Sequence, residues 1–93
     1  MRKNWVYMMS NKRNGTLYIG STSNLTLRVS QHKSGTGSQF TEKYGLTKLV
    51  WFEAFGDYET ALTQERRMKK WRRQWKLDLI NKNNPQWQDL RPY

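Results

Sequence analysis

The 93-residue chain contains no cysteine. That excludes a disulfide scaffold, a thiolate zinc cluster and a thiol nucleophile. The absence agrees with a reducing cytoplasm. There is one histidine, too few for a zinc site built on imidazoles. Acidic residues are scarce: seven Asp and Glu stand against seventeen Lys and Arg, a net charge of +10 and a pI near 10.2. So lopsided a charge attracts polyanions, nucleic acid above all. No apolar run approaches the roughly 20 residues needed to span a bilayer. The start, Met1-Arg2-Lys3-Asn4-Trp5, is basic but turns polar again at Ser10-Asn11-Lys12, without the apolar segment of a signal peptide. The expectation is a cytoplasmic protein with a nucleic-acid partner, no membrane and no protein partner that the sequence names.

Aromatics are plentiful. Five Trp, five Tyr and three Phe let a short chain fill one core, so residues 1–93 are read as a single domain. Trp5 to Met9 reads as a strand. Asn11 to Gly15 ends in Asn-Gly, a turn signal, and Thr16 to Gly20 reads as a second strand. In that strand Leu17 and Ile19 face one way and Tyr18 the other. Ser21-Thr22-Ser23-Asn24 offers N-caps for a helix from Leu25 to Lys33, stopping at Gly35. Arg28 and His32 fall on the same inward face as Leu25 and Val29. Gly35 to Lys43 reads as a mobile loop. Leu49-Val50-Trp51-Phe52 with Ala54-Phe55 reads as a buried third strand.

A long helix is then expected from Tyr58 to Trp71 or beyond, capped by Asp57. On a helical wheel Tyr58, Ala61, Leu62, Met68, Trp71 and Trp75 form an apolar arc that encloses Glu65. Arg66, Arg67, Lys70 and Arg73 fall on the outward side. Asn81 to Asn84 before Pro85 marks a turn, after which Trp87 and Leu90 pack the tail back.

Glu65 is the sharpest local signal, because a carboxylate on an apolar face costs several kcal/mol to bury unless paired or coordinated. It is either an ion-pair partner of Arg28 or Arg72, or a metal ligand at the floor of a cleft. Tyr7 and Tyr18 are core aromatics or site hydroxyls, and Arg28 and His32 are structural or line a cleft. The run from Arg66 to Lys76 holds seven cations in eleven residues, namely Arg66, Arg67, Lys69, Lys70, Arg72, Arg73 and Lys76, with two Trp interleaved. It is a solvated helix face or a phosphate-binding one. No phosphate-binding glycine loop, His-Glu-x-x-His motif or serine nucleophile elbow is present.

In order, these residues resemble the GIY-YIG endonuclease superfamily, in its compact single-domain bacterial form related to the nuclease domain of a bacterial excision-repair enzyme. Val6-Tyr7-Met8 stands at the family's first segment, and Tyr18-Ile19-Gly20 matches the second outright. Leu25-x-x-Arg28-x-x-x-His32 resembles the family's helix. Glu65 lies where its metal-binding Glu is expected, and Asn84-Pro85-x-Trp87-x-x-Leu90 is similar to the close of compact members. Two features depart: the first segment is Val-Tyr-Met, and the spacing of the family's site Asn lands on Leu77, which leaves Asn84 or its neighbours as the possible site Asn. The resemblance implies an α+β fold, a three-stranded antiparallel sheet flanked by helices. It implies metal-dependent hydrolysis of phosphodiester bonds, in DNA and in repair or recombination. One Mg²⁺ or Mn²⁺ ion would sit on Glu65, Arg28 would fork onto phosphate, and Tyr7 or Tyr18, helped to ionise by nearby cations, would orient or deprotonate water. His32 would accept or relay the tyrosine's proton. The competing expectations are a non-catalytic nucleic-acid-binding module on the same scaffold and a basic protein-interaction module.

Overall fold

Strand β1 (Asn4–Ser10) forms the centre of the sheet, and six of its seven residues are buried. It pairs antiparallel with β2 (Leu17–Thr22) on one side and β3 (Lys48–Phe55) on the other, in the order β2-β1-β3. The computed structural model describes residues 3–92. The turn between β1 and β2 follows Asn-Gly chemistry, with Asn14 at φ 56° and Gly15 N donating to Lys12 O at 2.9 Å. The second strand starts and ends one to two residues later than the sequence suggests.

Alternation along β1 sends its side chains to two separate cores. Val6 and Met8 join Ile19, Val50, Trp51, Ala61, Met68, Ile80 and Trp87 on one face. Tyr7 and Met9 join Leu25, Val29, Leu46 and Leu49 on the other, with Tyr18 packed against them. A bulge in β3 opposite Met8 and Met9 shifts the register. It lets neighbouring Val50 and Trp51 serve the same core, which explains the unbroken apolar run there.

The Tyr7 face is covered by α1 (Leu25–Lys33), whose Asn24 side chain accepts from Leu27 N at 3.1 Å. The expected mobile loop is in part a helix: α2 (Gln39–Tyr44) is capped by Ser38 and closed by Gly45 in the left-handed conformation, φ 64°. Its cap chemistry was present in the sequence, but two nearby glycines concealed it.

The other face is covered by α3 (Tyr58–Lys69) and α4 (Arg73–Asn83). The single long helix expected here is therefore broken. Lys70 N and Trp71 N bond back only three residues, to Arg67 O and Met68 O at 3.1 Å each, and Arg72 is extended at ψ 145°. The break turns Trp71 toward the core. It also lets Arg73 Nη2 donate to Asn14 O and Gly15 O at 2.7 and 2.6 Å. Tyr58 and Trp75, expected on the apolar arc, are exposed instead. The tail returns as expected. Trp87 is buried, Leu90 N donates to Leu49 O at 2.8 Å, and Asp89 accepts from Leu49 N at 2.9 Å.

Candidate active site

Tyr7 and Gly20 are cross-strand partners. A Cβ at Gly20 would lie 2.6 Å from the Tyr7 hydroxyl oxygen, so the glycine of Tyr18-Ile19-Gly20 makes room for the neighbouring tyrosine. Tyr18, two residues earlier on the same face, stands with its ring 6.2 Å from that of Tyr7.

The Tyr7 hydroxyl lies 2.7 Å from His32 Nε2. His32 arrives from α1 seven residues after Leu25, on the face that also carries Arg28 and Val29. Its other nitrogen, Nδ1, lies 2.9 Å from Thr41 Oγ1 on α2. Thr41 Oγ1 has two acceptors on the cap, Ser38 O at 3.2 Å and Ser38 Oγ at 2.9 Å; with its one proton given to either, it accepts from His32 Nδ1. His32 Nε2 is then bare and accepts from Tyr7. Burial, with the Arg28 charge second, lowers the His32 pKa to about 4, so the ring is neutral at physiological pH. Gly37 permits this packing, since a Cβ there would fall 2.3 Å from His32 Nδ1. Thr41, Ser38, Gly37 and the role of Gly20 were missed in the sequence. The signal available was Ser38 with Thr41 three residues on, a local cap beside two glycines.

Tyr7 is fully buried, 0% exposed. Burial, then the charge that would form on Tyr18, hold its phenol well above the ordinary tyrosine range, and Arg28 opposes them without prevailing. The expectation that nearby cations help this tyrosine ionise is therefore corrected: desolvation wins at Tyr7. Arg28 is half-buried and its Nη1 donates to Gln31 Oε1 at 3.1 Å. Partial burial works against its charge, but the Tyr7 and Tyr18 hydroxyls outweigh that and raise its pKa.

Glu65 belongs to the opposite face of the sheet, on α3 between Ala61 and Met68 as the wheel suggests. Its partners are neither Arg28 nor Arg72. Oε1 accepts from Ser21 Oγ at 2.5 Å, and Oε2 meets Lys69 Nζ at 2.8 Å. Burial works against the charge, but the Lys69 and Ser21 hydrogen bonds and the Lys69 and Arg66 charges hold the carboxyl below the usual range. Ser21 extends from β2, three residues after Tyr18. β2 has β1 on one side only. Along its free edge runs an open cleft of about 330 Å³ lined by Leu17, Tyr18, Ile19, Phe40, Lys69 and Lys76. Tyr18 of one face and the lysine bound to Glu65 from the other thus border one space.

A family model for the GIY-YIG catalytic domain matches residues 3–78. The chain belongs to the GIY-YIG family. It is similar to the UPF0213 protein of Clostridium perfringens, 40% identical over 78 residues that cover 84% of this chain and 83% of that one. The UPF0213 protein of Staphylococcus haemolyticus is 35% identical over 86% of this chain and 96% of its own length. The solution NMR structure of a UPF0213 protein from Bacillus halodurans matches with a TM-score of 0.58 and 28% identity, covering 94% of this chain and 92% of that one. As a GIY-YIG domain it is a three-stranded antiparallel α+β protein, and no described helix is long and apolar enough to cross a membrane.

Other residues singled out in the sequence lie apart from this cluster. Asn84 is buried and occupied. Its Nδ2 donates to Val50 O at 3.1 Å and Gln88 O at 2.9 Å, and its Oδ1 accepts from Gln88 N at 3.1 Å. It clamps the tail to β3, with both amide protons engaged. The cationic run does not form one face either. Lys69 pairs with Glu65, Arg73 holds the turn, and Arg72 lies over the Trp75 ring at 5.7 Å. Lys76 lines the cleft, and Arg66, Arg67 and Lys70 are exposed.

Proposed function

We propose that this chain is a divalent-metal-dependent endonuclease that hydrolyses phosphodiester bonds in DNA, with DNA repair or recombination as its setting. The observation that carries the reading is the convergence on β2. Tyr18 opens onto the edge cleft, and Ser21, three residues on, holds the one inward carboxylate among the described residues.

Within this reading Tyr18 is the hydroxyl that meets the attacking water, because it lines the cleft and Tyr7 is sealed beneath it. Tyr7, His32 and Thr41 are positioning residues: a neutral relay that fixes the ring of Tyr7, and through it the packing of Tyr18 and Arg28. A phosphorus–oxygen bond forms to water as the bond to the leaving sugar oxygen breaks; the water gives one proton up to solvent and the leaving oxygen takes one from solvent, so the protons balance. Arg28 is the planar donor placed to meet the charge that grows on the phosphoryl oxygens.

The donor set suits a hard, hydrated cation. Glu65 and the Ser21 hydroxyl offer oxygen only, and no group of three His, Cys, Asp or Glu converges among the described residues. Glu65 would hold Mg²⁺ or Mn²⁺ with most of its waters retained, once Lys69, whose side chain is 51% exposed, swings aside. When bound, such an ion supplies Lewis acidity and charge neutralisation at the phosphate.

The test is incubation of the protein with labelled single-stranded, duplex, flapped and branched DNA, with Mg²⁺, Mn²⁺ or EDTA. Cleavage is expected with either metal and none in EDTA. Tyr18→Phe and Glu65→Gln should fold normally and lose at least a hundred-fold in rate, on the order of one positioned proton-transfer or charge-stabilising group. Salt-sensitive binding by the parent with no cleavage of any substrate would assign the scaffold to binding alone.

A further inference from the structure

A second open space, about 610 Å³, lies at the β1–β2 turn, bordered by Lys12, Asn14, Gly15, Leu17, Arg73 and Lys76 among others. It shares Leu17 and Lys76 with the edge cleft that holds Tyr18, so the two adjoin at those residues and make up a two-part groove. Its cations are not neutralised. Among the described residues only Lys33 and Lys69 meet a carboxylate within 4 Å, so Lys12, Arg73 and Lys76 have none. No Asp or Glu lines either space.

We propose that this groove is the track of one nucleic-acid strand, which enters over the β1–β2 turn, passes Lys12 and Lys76, and reaches Tyr18 along the free edge of β2. The proposal rests on the nuclease reading and names the surface that delivers its substrate. Three features support it. Uncompensated cations in a concave surface focus potential onto a polyanion. Arg73 is spent on the Asn14 and Gly15 carbonyls, which ties the turn that carries Lys12 to the helix that carries Lys76. At the far end Phe40, 43% exposed and 6.2 Å from the Tyr18 ring, offers an aromatic face to a base, a sequence-tolerant contact. Of the outward cations of α3, which the sequence favours as the binding surface, Arg67 borders a space that Glu59 also lines and that no aromatic lines.

The experiment measures affinity in EDTA, where cleavage is not required, for labelled single-stranded and duplex DNA across a salt series. Replacing both Lys12→Gln and Lys76→Gln should weaken single-strand binding about ten-fold at low salt and flatten the salt slope by about 1.4, near 0.7 per phosphate lost. The outward pair Arg66→Gln with Arg67→Gln should cost less. Lys12→Glu, in an exposed turn, repeats the test without touching α4 and should weaken binding at least as far as Lys12→Gln alone. Inorganic phosphate should compete no better than chloride at equal ionic strength. An unchanged slope in the groove variants, a larger loss in the outward pair, or selective displacement by inorganic phosphate would each overturn the track. A parent that binds through these lysines yet never cleaves would leave the track standing and remove the nuclease reading. Cleavage that survives with groove-variant affinity unchanged would do the reverse.

Discussion

At the scale of single residues, the governing fact is that burial and the Arg28 charge act together to hold His32 neutral. A base buried in its neutral form resists protonation, while the same side chain in the unfolded chain takes up a proton near pH 6.5. The unfolded state therefore binds more protons between about pH 6.5 and about pH 4. Stability from this site is complete above that window and declines as pH falls through it. Unfolding midpoints measured from pH 8 to 4 should show this decline beginning above the range in which carboxylates titrate. His32→Gln should remove the upper part of the slope. An identical profile in the variant would mean that the histidine is not held neutral. Glu65 acts lower: its depressed pKa gives stability that is present above the unfolded value and lost as pH drops through the folded one.

At the scale of elements, the sequence was most legible where one residue pattern met one face. Strand β1, helix α1 and the position of Glu65 on α3 all follow from apolar spacing, and α1 has the expected bounds, Leu25–Lys33. What could not be read was the pairing between elements. That Glu65 would find Lys69 and Ser21 rather than Arg28 depends on α1 and α3 lying on opposite faces, which periodicity does not encode. The α3–α4 break has no Gly or Pro to announce it, and the contact it permits is distant in sequence: Arg73 on the hairpin carbonyls. Helix α2 was hidden by the opposite problem, glycines that read as flexibility but serve a left-handed turn at Gly35 and clearance at Gly37. Gly37→Ala tests that clearance. Its methyl would fall 2.3 Å from His32 Nδ1, so the variant should lose about 1–3 kcal/mol by overpacking, and cleavage should fall with it. A variant of parental stability would show that α2 can shift away at no cost.

At the scale of the whole molecule, the sheet separates the two cores, and the segment after α4 packs on both, Trp87 on the larger and Leu90 on the smaller. Trp87 is 1% exposed, and its indole Nε1 donates to Asn81 Oδ1 at 2.7 Å. Both lie beyond the stretch matched by the family model, residues 3–78, so the matched region does not complete its own core. Trp87→Ala should cost about 3–5 kcal/mol, measured by urea unfolding. A loss under 1 kcal/mol would make the tail an accessory. The free edge of β2 has a consequence of another kind. An unpaired strand is a template on which a second copy can extend the sheet, and positive side chains along it are a standard deterrent. Lys69 and Lys76 stand there, so the lysines of the proposed groove are also placed to discourage a second copy from pairing with the edge. Screening those lysines with concentrated salt removes the deterrent and leaves the edge bare. Nucleic acid lying along the groove neutralises the same lysines but covers the edge, so occupancy itself would act as a guard against self-association.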